Sequence, residues 1–133
     1  DNGQGLGLVV RRDGESAVAH YAPREHEEGY PARFHGGLVG LLVDEMLVYA
    51  GVANGLIGMT ARVTYRLRKP IPMDADLVLR GRLESTSSRG FRASVEIRLG
   101  DGTLAADGAG TCVNHDELPA APAAADRESA RAR

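Results

Sequence analysis

Two acidic residues stand where acid is least expected. Asp44 and Glu45 interrupt a segment made of Leu38, Val39, Leu41, Leu42, Val43, Met46, Leu47, Val48 and Tyr49. A carboxylate among such neighbours is costly unless it is paired or its protonation is shifted. Two readings follow: a base or nucleophile in a site, or a bonded core carboxylate or interface salt bridge, since structural pairs also perturb carboxylates. Successive helical residues point ~100° apart. At most one of the two therefore faces a given pocket.

His35-Gly36-Gly37 lies just ahead of that segment. Glycines at a helix start let a ligand approach free backbone N–H groups, and the helix dipole favours negative charge there. Such groups can serve as an oxyanion hole, or the glycines can simply make the turn. His35 alone reads most simply as a hydrogen-bonded structural histidine. Arg66, Arg68 and Lys69 near Pro70, together with Arg89, are candidates to meet phosphates, or are solvated strand ends. His20, His26, His35 and His115 have no metal-ligand spacing, and the single Cys112 adds none, so neither a metal nor a cofactor is expected. No Gly-x-Ser-x-Gly elbow occurs, which disfavours a serine hydrolase.

The elements that must position these residues are readable in outline. Leu6, Leu8 and Val10 alternate, and Asp13-Gly14 turns the chain into Ala17, Val18, Ala19 and Tyr21, which predicts a hairpin. Residues 22–34, with Pro23, Gly29 and Pro31, read as a loop. Residues 36–52 predict a helix ended by Asn54-Gly55, apolar on nearly every face and hence expected to be buried all round. Four strands should follow, over 57–67, 76–83, 91–99 and 103–113, with a tight turn at Gly100-Asp101-Gly102. A wholly apolar helix must be wrapped. A strongly curved antiparallel sheet around it, joined by hairpins, is the economical arrangement, giving an α+β fold with the helix inside. Residues 1–116 are expected to form the domain, and the Ala- and Pro-rich 117–133 a disordered tail.

Composition bounds the rest. The chain has 133 residues, 43% of them hydrophobic, and a net charge near −2. That fits one globular domain. No basic stretch is dense enough to track nucleic acid, and the longest apolar run, 38–43, is too short to cross a bilayer. The opening residues 1–5 carry no leader signature. One cysteine and no disulfide fit a reducing, cytoplasmic setting.

The segment His35-Gly36-Gly37-Leu38-Val39-Gly40-Leu41-Leu42-Val43-Asp44 resembles the HGG-x6-D signature of hotdog-fold thioesterases of the phenylacetate-degradation type. The likeness continues through Gly58-Met59-Thr60-Ala61 and Arg68-Lys69-Pro70-Ile71-Pro72, and is nearest to the branch with thioesterase superfamily members 4 and 5. It spans about His35 to Val113. It implies hydrolysis of an acyl-CoA or acyl-carrier-protein thioester, in a homodimer or a dimer of dimers. Asp44 matches the catalytic carboxylate, and Gly36 the glycine whose N–H polarises the carbonyl, with His35 and Gly37 beside it. Thr60 matches a hydroxyl residue that positions the water or the carboxylate. Arg68, Lys69 and Arg89 are the candidates for the coenzyme A phosphates. Two departures stand out. Many relatives carry Asn where this chain has Gly29, and Glu45 directly follows the catalytic position.

Spacing adds a separate constraint. Gly36 and Asp44 are eight residues apart, which along one helix is ~12 Å. One thioester carbonyl is too small to touch both. If both act on it, they come from different chains, and two equivalent sites follow from two-fold symmetry. Two other readings of the same fold remain open. A hotdog dehydratase or hydratase is weakened by the lack of an Asp-x4-His pattern, and a non-catalytic acyl-CoA-binding regulator by the lack of a DNA-binding segment.

Overall fold

The computed structural model describes residues 7–24 and 36–114. Within them run β1 (Val10–Asp13), β2 (Ser16–Tyr21), α1 (Gly36–Val52), β3 (Met59–Leu67), β4 (Leu77–Ser87), β5 (Gly90–Leu99) and β6 (Leu104–Val113). The strands form one antiparallel sheet in the order β1-β2-β4-β5-β6-β3, with α1 lying across one face.

Local chemistry sets the element ends. The β1–β2 hairpin pairs Asp13 with Ser16, leaving a two-residue turn in which Gly14 has φ 61°. A primed hairpin turn needs that left-handed conformation at its first position. At the far end of α1, Gly55 has φ 78°, and the N–H groups of Asn54 and Leu56 both donate to the Gly51 carbonyl. That closes the last turn as a glycine C-cap does. The Asn54 side chain donates to the carbonyls of Ala50 and Glu15, tying the helix end to the hairpin.

The core is a single cluster between α1 and the sheet. On the helix, Val39, Leu42, Val43, Met46, Leu47, Ala50 and Gly51 are buried, a stripe at three- and four-residue spacing. Each large side chain so buried contributes about 1.5–3 kcal/mol. Glycines on the sheet let the helix settle. A Cβ at Gly81 would lie 2.6 Å from the Met46 carbonyl oxygen, and one at Gly108 2.6 Å from Val43 Cγ1. A Cβ at Gly110 would lie 2.8 Å from Leu47 Cδ1. All three are closer than real Cβ contacts, and at Gly108 and Gly110 the carbonyl oxygens of Thr64 and Arg62 on β3 crowd the same position, so a side chain there would disturb the packing of α1 on the sheet or the β3–β6 pairing.

Three expectations need correction. The helix is not buried all round: Leu41 is 48% exposed and Gly37 and Val52 are also open. One sheet covers one side of a helix, and the described residues leave the other side uncovered. Second, hairpins do not make every connection. β3 sits at the sheet edge beside β6, so the chain crosses from that edge to β4 through residues 68–76. Pro70 and Pro72 end the pairing because they lack N–H groups, while the buried Ile71 pins the crossing to the core. Third, β4 runs to Ser87 rather than Leu83. Its polar end escaped an apolar-alternation reading, and a register shift between Leu83 and Ser85 breaks the alternation there. The loop at 25–34 and the 117–133 tail lie outside the described residues.

Candidate active site

Asp44 sits mid-helix, on the turn that Val43 anchors against Gly108 of β6. The residue is partly buried, but its Oδ1 is fully buried and accepts no hydrogen bond among the described residues. An unpaired buried polar atom costs about 1–3 kcal/mol, more when charged. Such groups call for a chemical reason to be kept. Asp44, and not Glu45, carries that atom.

Thr60, near the start of β3, is brought to the same side of the sheet by an irregularity. Thr60 pairs with Cys112 but Arg62 already pairs with Thr111, so Ala61 is an extra residue in β3. Such a bulge shifts the phase of the strand. Val63 and Tyr65 pair with Gly110 and Gly108, the two glycines beneath α1. Without the bulge, Ala61 would share their face and Thr60 would point away. With it, Thr60 Oγ1 lies 3.8 Å from Cys112 Sγ on the helix side of the sheet.

Cys112 is buried on β6. Burial pushes its thiol above the ordinary range; the Thr60 contact opposes this, and the nearby Asp44 carboxylate adds to it. Cys112 thus joins Thr60 and Asp44 in one cluster. Nothing local in the chain signals this, because the contact depends on strand register across 52 residues.

The other candidates fall elsewhere. Gly36 and Gly37 open α1, and a Cβ on Gly36 would meet nothing within 4 Å. Gly40 packs against the Tyr65 ring, so the helix start lies toward the Leu67 end of β3, away from Thr60. Arg68 and Lys69 follow that end, ~26 Å along the strand from Thr60 at the usual rise per residue. Arg68 forms a 2.9 Å ion pair with Asp107, which raises its pKa through the hydrogen bond and the charge. Arg89 lies at the opposite end, in the β4–β5 turn, beside a cavity of about 400 Å³ that Arg92, Thr111 and Cys112 also line. One chain therefore does not gather Arg68, Lys69 and Arg89. His35 lies outside the described residues. The larger apolar side chains that could line an acyl tunnel also separate. Met46 and Phe91 are core, Met59 is exposed, and Tyr49 lines a different cavity of about 410 Å³ against the β1–β2 hairpin.

A helix packed against one face of a six-stranded antiparallel sheet in this strand order is the arrangement of the hotdog fold. Solved structures share it. A thioesterase superfamily protein is similar at 30% identity and TM-score 0.76, over 80% of this chain and 55% of that one. The chain thus spans about half the length of that protein. The E. coli PaaI protein from the phenylacetic acid degradation operon is similar at 18% identity and TM-score 0.72, over 80% of this chain and 81% of its own. A hypothetical thioesterase protein from Streptococcus pneumoniae TIGR4, solved with coenzyme A, has 20% identity and TM-score 0.74, over 81% and 88% of the two chains. That streptococcal protein was also solved as two variants, one with a threonine and one with an aspartate changed to alanine. No family model matches the chain. The protein has the hotdog fold of the thioesterase superfamily, the resemblance read from the HGG-x6-D segment.

Proposed function

We propose that the protein hydrolyses an acyl thioester of coenzyme A or of an acyl carrier protein to the free acid and thiol, with Asp44 as the reacting carboxylate. The observation that carries this reading is the buried Asp44 Oδ1, which has no hydrogen-bond partner among the described residues. A base needs an unoccupied lone pair aimed into a site, and a carboxylate locked in a salt bridge would not offer one. Asp44 either takes a proton from water as the water attacks the thioester carbonyl, or attacks that carbonyl itself to give an anhydride that water then opens. In both routes the C–S bond breaks and the sulfur leaves as the thiol. Support also comes from the streptococcal neighbour: its altered aspartate and threonine are sixteen positions apart, the separation of Asp44 and Thr60. The coenzyme A in the structure of that protein supports the substrate class.

The working unit we propose is a homodimer paired through β3. On that edge strand Met59, Tyr65 and Leu67 are 52%, 45% and 46% exposed. An exposed apolar edge is a template for another strand. Antiparallel pairing of two β3 strands about a two-fold axis sets the Thr60 end of one against the Leu67 end of the other. Since α1 begins toward the Leu67 end, Gly36 of the partner subunit approaches Asp44 of this one, and its N–H can hold the developing oxyanion. Arg68 and Lys69 of the partner subunit approach the same site, on the side where a phosphate-bearing thiol would enter.

The test is thiol release from a panel of acyl groups carried on coenzyme A and on carrier protein. Turnover of at least one donor that Asp44→Asn abolishes supports the reading. Tight acyl-CoA binding without thiol release from any donor would instead favour a binding regulator.

A further inference from the structure

Cys112 has no part in the reaction as drawn, yet it touches Thr60, the hydroxyl residue assigned to the site. Its Sγ lies 3.8 Å from Thr60 Oγ1, and either atom can donate. Two backbone features make the contact. The extra residue Ala61 turns Thr60 toward the helix, and the register sets Thr60 directly across from Cys112, with Phe91 on its other side. The Phe91 ring in turn fills the space beside Gly51, so that a Cβ there would collide with it, and flanks Gly58. Cys112 is thus held from both neighbouring strands and is buried. Burial pushes its thiol above the ordinary range, with the Thr60 contact opposing and the Asp44 charge adding, which favours the neutral form. A neutral thiol is a poor nucleophile but keeps its proton to donate.

A threonine hydroxyl has one proton and two acceptor positions. If Oγ1 accepts from the Cys112 S–H, its own proton is directed away from sulfur and is free for another acceptor; Asp44, whose charge acts on Cys112, has a buried Oδ1 with no hydrogen-bond partner among the described residues. We propose that Cys112 is a positioning residue: its S–H holds the Thr60 hydroxyl in the rotamer that presents its proton to the Asp44 carboxylate or to the attacking water. This rests on the thioesterase reading above for its catalytic consequence, though not for its geometry.

A double-mutant cycle tests it. Cys112→Ala should lower kcat about fivefold, the size of one neutral hydrogen bond, with KM unchanged. Cys112→Ser keeps a donor and should retain more than half of the wild-type kcat. In a Thr60→Ala background, Cys112→Ala should cost nothing further, because the group it orients is gone. Equal losses in Cys112→Ala and Cys112→Ser, or the same loss with and without Thr60, would overturn the proposal in favour of plain packing. A second readout needs no turnover: three-bond couplings to the Thr60 methyl. They should report one χ1 rotamer in the wild type and averaging in Cys112→Ala; an unaveraged rotamer in that variant would also overturn it. Should the wild-type protein release thiol from no acyl donor, the thioesterase reading fails, and the methyl couplings alone decide whether Cys112 positions Thr60.

Discussion

The shared active site is open to a complementation experiment whose outcome is fixed by helix geometry. Gly36 and Asp44 lie on the same uninterrupted helix, Gly36–Val52, and are ~12 Å apart at 1.5 Å per residue. A carbonyl oxygen and its carbon are separated by about a tenth of that, so one helix cannot serve both ends of the reaction. The perturbation is Gly36→Val in one subunit and Asp44→Asn in the other. A Cβ at Gly36 meets nothing within 4 Å in the chain itself, and valine is no worse than glycine in a helix. Loss of activity in Gly36→Val would therefore come from crowding at the oxyanion position and not from misfolding. Each variant alone should be inactive. In a mixed dimer, one site combines both lesions and the other combines none, so each heterodimer should regain about half of the wild-type activity. Statistical re-pairing of an equal mixture makes half of the dimers mixed, so the mixture as a whole should reach about a quarter. Co-refolding the two variants and measuring thiol release against co-refolded wild type reads this directly. A mixture that stays inactive while the control recovers would refute the composite site and the need for a dimer in catalysis.

Four further outcomes are expected. Asp44→Asn should keep the fold, with a melting temperature no lower than that of the wild type, and lose at least about 100-fold in kcat, the low end for a positioned acid–base group; near wild-type turnover, with Glu45→Gln inactive, would transfer the role to Glu45. Thr60→Ala should lose less than Asp44→Asn, since water can replace an orienting hydroxyl more readily than a reacting group, and an unchanged rate would remove Thr60 from the site. Gly110→Ala should destabilise by about 1–3 kcal/mol through overpacking against Leu47 of α1 and the Arg62 carbonyl of β3, read by denaturant unfolding; no change would mean that the strand and helix yield freely at this position. Finally, the Cys112 thiol is raised in the folded state. Above the ordinary thiol pKa the unfolded chain loses this proton while the native chain keeps it, so stability should fall as pH climbs from there through the raised value. Cys112→Ala should flatten that alkaline limb in melting curves taken across it, and an unaltered limb would show that the thiol is not its source.

Local features of the sequence determined much of this protein. The helix bounds at Gly36 and Val52 follow from glycines ahead of an apolar run and from Asn54-Gly55 after it. The hairpin at Gly14 and the alternation of Leu77, Leu79, Phe91, Ala93, Val95 and Ile97 likewise depend on neighbours a few residues away. Asp44 was conspicuous for the same reason, as a charge in an apolar segment. What the tertiary structure alone decided is long-range. Strict alternation back from Tyr65 and Val63 places Ala61 inward and Thr60 outward; only the pairing of β3 with β6 reveals the bulge that reverses this. Cys112 looked inert because its partner lies 52 residues away on another strand. The apolar side of α1 that carries Leu41 was expected to be covered, but one sheet reaches only one side of a helix. Periodicity records how apolar each face of the helix is, whereas which face meets the sheet is set by the glycines at 81, 108 and 110, whose missing side chains matter only once three strands stand side by side.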